Sequence, residues 1–114
     1  MISWLNSDNR LPEDWEAFGS IPADKPDKFV VVERTGGPSD NVRLDRPDLT
    51  IRFFCKDDAD AAGDVALATD AKIRLEFIDQ RNVSKVQRNS LTRLDDLIIK
   101  WPTYMGFYSF VYLG

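Results

Sequence analysis

Asp57, Asp58, Asp60 and Asp64 form the tight carboxylate cluster of the chain. Carboxylates so spaced are the ligand type that holds magnesium or calcium for phosphoryl transfer. The same four residues stand where an alanine-rich stretch begins. There an aspartate caps a helix by accepting from its first free amides and favours the positive end of its dipole. Capping is the reading taken, because a calcium loop needs a closing glutamate at its twelfth place, and counted from Asp57 or Asp58 that place holds Ala68 or Thr69.

The remaining reactive types are sparse. Thr35-Gly36-Gly37-Pro38-Ser39 has the glycines of a phosphate cradle, but such a cradle needs a helix directly after it, and residues 41–54 read as loop and strand. A chain-reversing turn is expected instead. The chain contains no histidine, so Ser39, Ser84, Ser90 and Ser109 have no imidazole base, and no Ser-x-x-Lys spacing replaces it. Cys55 stands alone in an apolar run, where an unpaired cysteine is expected to pack in the core. Tyr104, Tyr108 and Tyr112, four apart, share one face of a helix or of a strand and read as packing residues. Arg43, Arg46 and Arg52 alternate with Asp40, Asp45 and Asp48, which makes their segment nearly neutral and suits a specific protein contact. The expectation is a protein without catalytic residues, cofactor or metal.

The elements that position these residues belong to one domain, since 114 residues bury a core but do not fill two domains. A 43% apolar fraction and 30% charged fraction describe a folded chain. The net charge of −4 argues against broad phosphate neutralisation of duplex DNA, which rests on clustered cations. No apolar run approaches the roughly 20 residues of a membrane helix, and no basic and apolar leader is visible, so cytoplasmic synthesis is expected.

Along the chain, Pro12, Pro22 and Pro26 punctuate an aromatic N-terminal segment containing Trp4, Trp15 and Phe18. Residues 12–18 are expected to form a short helix ended by Gly19. Residues 28–34 read as a strand in the middle of a sheet or covered on both faces, and residues 35–48 as an extended exposed loop with Asn41-Val42-Arg43-Leu44 as its candidate strand. Leu49, Ile51, Phe53 and Cys55 alternate as the buried face of a strand. Ala59, Ala62, Val65, Ala66, Thr69, Ile73 and Phe77 form the stripe of an amphipathic helix over about residues 58–78, with Asn82 suited to its stop. Residues 83–88 read as a mostly polar strand at an edge or on a wet face, with Asn89-Ser90 as a turn or bulge. Leu91, Leu94, Leu97 and Ile98 have helical spacing, which is preferred over the strand that Leu97-Ile98-Ile99 would allow. Residues 107–113 form a C-terminal strand. The fold class expected is α+β: a small mixed, mainly antiparallel sheet with one long helix on one face and short N-terminal helical turns.

One further observation is the order of these pieces. A Val-rich strand ends in Glu33-Arg34-Thr35-Gly36-Gly37. A loop leads to Asp45-Arg46-Pro47-Asp48-Leu49-Thr50-Ile51-Arg52-Phe53, and a helix carrying Ala62, Val65-Ala66 and Ile73 precedes a closing strand. Over residues 29–77 this resembles the tail terminators and related tail-completion, head–tail joining proteins of tailed bacteriophages. The resemblance implies a structural virion protein of the neck, made in the host cytoplasm, that forms a homohexameric ring on the tail tube. Such a ring ends tube polymerisation and meets the head connector, with DNA passing through its lumen. Tube protein, connector and further copies of the chain are the implied partners, and the implied contact residues are Arg34, Gly36, Gly37, Asp40, Arg43, Asp45, Arg46 and Asp48. Another neck component, a soluble adaptor and a metal-dependent phosphoryl-transfer enzyme stay open as alternatives.

Overall fold

The computed structural model describes residues 1–8, 10–36, 39–41, 44–95 and 99–113. Its elements are α1 (Ile2–Leu5), β1 (Ala17–Phe18), β2 (Lys28–Gly36), β3 (Ser39–Asn41), β4 (Leu44–Asp45), β5 (Asp48–Cys55), α2 (Ala59–Glu76), a 3-10 turn (Phe77–Asp79), β6 (Val83–Arg93) and β7 (Thr103–Leu113). The expected α+β class and its mainly antiparallel sheet are what the chain forms.

The two apolar runs pair with each other: β2 lies antiparallel to β5, with Val30 opposite Phe53 and Val32 opposite Ile51. β5 then pairs with β7, placing the C-terminal strand in the middle of the sheet, and β7 carries β6 on its other side. β1 adds two residues parallel to β2, the one parallel pairing among the described strands. The sheet therefore runs β1-β2-β5-β7-β6. Beyond the end of β5, β4 takes its place beside β7, with Asp45 opposite Tyr112, and β3 folds back on β4 as a small hairpin.

α2 covers one face. Asp58 caps it, its carboxylate accepting from the Ala61 amide at 3.0 Å, as the sequence suggested. Ala62, Gly63, Ala66, Thr69, Asp70 and Ile73 turn inward. These small residues bring the helix down onto Ile51, Phe53, Tyr108 and Phe110. The far end widens, and Phe77 fills it between Trp4, at a 5.0 Å centroid distance, and Phe110 at 5.5 Å. The opposite face is covered at one end only. Phe29 and Phe54 stack there at 4.6 Å beside Val31, beneath Phe18, Ile21, Ile99 and Trp101. That second cluster explains the unbroken apolar run in β2: both of its faces are buried over residues 29–32. Each such ring contributes about 2–3 kcal/mol of burial before ordering entropy is charged against it.

Several expectations need correction. Residues 12–18 do not form a helix; a single turn, Trp15 amide to Pro12 carbonyl, leads into β1. The reason is tertiary: Val30 donates to the Glu16 carbonyl, and Ala17 and Trp15 are buried against the sheet. A helix there would forfeit that edge pairing. The helical reading from Leu91 onward fails at its start, because β6 continues to Arg93 with Leu91 opposite Gly106; Leu97 and Ile98 lie outside the described residues. Asn89 is a bulge, the register shifting between Arg88 and Ser90. The long helix ends two residues early, at Glu76, and the 3-10 turn completes it before Asn82 reverses the chain with φ 68°. Finally, residues 35–48 are less of a loop than expected, since Thr35 and Gly36 extend β2 and the hairpin occupies much of the remainder.

Candidate interaction surface

The proposed contact residues fall on both faces of one end of the sheet. Arg34 is exposed near the end of β2, and its Nε donates to the Gly36 carbonyl at 3.2 Å. With Val32, Pro47, Leu49, Tyr112 and the first residues of α1 it lines a shallow cleft of about 430 Å³ on the helix side. Gly36 stands opposite Asp48, just after a register irregularity at Thr35. Asp40 belongs to β3 and Asp45 to β4. Gly37 and Arg43 lie outside the described residues, as does Val42 of the candidate strand; that strand's ends fall in β3 and β4.

On the opposite face Arg46 and Asp48 meet Lys85, Gln87, Ser109 and Val111 around a second cleft of about 240 Å³. A polar ladder crosses the sheet here. Asn89 Nδ2 donates to Ser109 Oγ at 2.8 Å, and Ser109 Oγ donates to Asp48 Oδ1 at 2.7 Å. Beside it Thr50 and Thr35 join their hydroxyls at 3.1 Å. Three strands are thus tied together immediately below the β3–β4 hairpin. Pro47, buried, accepts from the Phe110 amide at 3.0 Å and anchors the hairpin's return. Arg52, which the sequence grouped with this cationic set, instead pairs with Glu33 and lies over the Phe54 ring at 5.4 Å, nearer the second core. The arrangement can present a shaped, mixed-charge surface to another protein.

In the aspartate cluster the local geometry is that of a helix start. Asp58 is spent on the cap and Asp57 occupies a left-handed turn position, φ 60°. Among the described residues no group of three acids, histidines or cysteines gathers to hold a metal. Cys55 is buried, and burial pushes its thiol up, with the Asp58 charge adding to the effect.

Sequence reasoning missed Asp70. It is 1% exposed and accepts from Tyr108 Oη at 2.8 Å, Arg74 Nε at 2.9 Å and Arg88 Nη1 at 3.1 Å. The signal was available: Asp70 lies four residues after Ala66 and three before Ile73, on the apolar stripe itself. A carboxylate at such a place must find donors or remain uncharged. Burial first, and the Asp70 hydrogen bond second, hold the Tyr108 hydroxyl protonated well above the ordinary phenol range. The network joins α2, β6 and β7 and is structural in its geometry. No family model matches this chain, and no curated protein matches it.

Proposed function

We propose that this chain is a structural assembly protein of the phage neck, a tail terminator that caps the tail tube as a ring and joins it to the head connector. The observation that supports the reading is the β3–β4 hairpin. It sits at one end of a stiff sheet, anchored by Pro47, Asp48 and Ser109, with Arg34 on one face below it and Arg46 on the other. A projection held this way suits a contact that must be made repeatedly in one geometry, as in a ring. The order of elements that carries the resemblance over residues 29–77 points the same way. The chain's acidity fits a lumen along which DNA slides without adhering.

The test is the mass of the assembly. Native mass spectrometry of the purified chain, alone and with tubes polymerised from a tail-tube protein, is expected to find a six-membered ring in at least the second condition. A chain that stays monomeric in both overturns the proposal.

A further inference from the structure

The two edges of the sheet carry opposite charge. β6, at one edge, is an 11-residue strand hydrogen-bonded on one side only among the described residues. At about 3.3 Å per residue its open side is roughly 36 Å long. Between Asp79 and Asp95 the chain has four cations, Arg81, Lys85, Arg88 and Arg93, and no acid. Arg88 is engaged by Asp70 and Arg93 by Asp95, but Arg81 and Lys85 are exposed and make no ion pair among the described residues. The other edge is β1 and the segments flanking it. Residues 8–27 hold six acids against two cations. Asp8 is engaged by Arg10 and Asp14 by Lys28, leaving Glu13, Glu16, Asp24 and Asp27 exposed at that rim.

We infer that copies of this chain associate head to tail, the basic open edge of β6 on one copy seating against the acidic β1 rim of the next. Unlike surfaces at opposite ends of one sheet make a heterologous contact, which propagates until rotation closes it. Two basic β6 edges would repel each other, which disfavours the isologous alternative in which that edge pairs with itself. The bulge at Asn89 and the irregularity beside Val83 limit indiscriminate strand pairing along the edge, so charge selects the partner. The edge alone is narrow for a stable contact. It widens onto the helix side through a cleft of about 390 Å³ that adds Leu67, Leu91 and Tyr104, with Asp60 and Asp64 on its α2 wall. The inference rests on the self-assembly reading above and specifies which surfaces meet.

Paired charge reversals test it. Counting only the charges outside the ion pairs, Arg81→Glu with Lys85→Glu makes both edges acidic, while Glu13→Lys with Glu16→Lys leaves the β1 rim with three cations against Asp24 and Asp27, so both edges are basic. Each double variant alone is expected to raise the half-assembly concentration at least about tenfold by light scattering, and the wild-type assembly to weaken as salt rises. Mixed in equal amounts, the two variants restore complementarity at every contact and are expected to co-assemble as alternating copies. All four positions are exposed, so unchanged thermal unfolding checks that each variant is folded. If wild type assembles and both variants assemble equally well, these edges are not the contact, while the ring reading stands. If wild type never assembles, even on tubes, both fall. Retention of duplex DNA by monomeric wild type, lost on reversing Arg81 and Lys85, would assign the edge to nucleic acid and overturn the inference.

Discussion

At the scale of residues, the attachment of α2 to the sheet depends on Asp70. Its two oxygens take three donors, so the charge is stabilised without solvent, and removing the carboxylate strands the Tyr108 hydroxyl in the core. Breaking a buried pair commonly costs about 3–5 kcal/mol, but Arg74 and Arg88 keep roughly half and a third of their side chains in water and can re-hydrate. Asp70→Ala is therefore expected to lose about 2–3 kcal/mol, read from the urea midpoint at constant slope. Tyr108 adds a pH dependence. Its proton is held more tightly folded than unfolded, so the stability it contributes is complete below the free phenol value of about 10 and declines as pH rises beyond it. Of the three tyrosines, Tyr108 is expected to ionise together with alkaline unfolding, seen as tyrosinate absorbance that tracks loss of near-UV ellipticity. Tyr108→Phe should flatten that alkaline decline. The acid on the helical stripe was legible in the sequence, but its partners were not: Tyr108 lies 38 residues away and arrives through strand register.

At the scale of elements, strands that alternate cleanly, such as β5, and helices with a capped start were legible, because local chemistry and burial agree there. β6 was harder to read. Val83, Val86 and Leu91 alone reach the core from an otherwise exposed strand, and the bulge at Asn89 breaks their period, so Leu91 falls into a spacing that also suits a helix. The segment before β1 misled for the opposite reason: its proline, acids and alanine favour a helix locally, and pairing with β2 overrides them. β7 holds a tight contact within its own strand. The Tyr108 ring folds back over Gly106, and a Cβ at Gly106 would come within 2.6 Å of that ring. Tyr108 is fully buried and hydrogen-bonded, so it has nowhere to retreat. Gly106→Ala is expected to destabilise by about 1–3 kcal/mol, measured by thermal denaturation, even though alanine would favour an ordinary strand position over glycine.

At the scale of the whole molecule, the scaffold and the projection it carries are separable. The glycines and prolines of residues 35–48 announced an excursion, yet the strand partner of its far half, β7 at Tyr112 and Leu113, lies at the other end of the chain, which no local pattern reveals. β2 and β5 are already in register across Gly36 and Asp48, so a two-residue Asn-Gly turn placed between those positions can close them as a simple hairpin. That replacement removes β3, β4 and the Pro47 anchor while leaving both cores intact, since Phe53, Tyr108 and Phe110 face α2 and Phe29 and Phe54 face the second cluster. It is expected to keep its far-UV ellipticity and to melt cooperatively a few degrees lower, having lost only edge pairing and one buried proline. If the hairpin is the tube contact, the excised variant no longer limits tube length in a polymerisation assay, and Arg46→Glu in the full chain weakens capping while the chain still melts cooperatively. Tubes of unchanged length with both variants would separate the hairpin from tube capping and leave the sheet edges as the assembling surfaces.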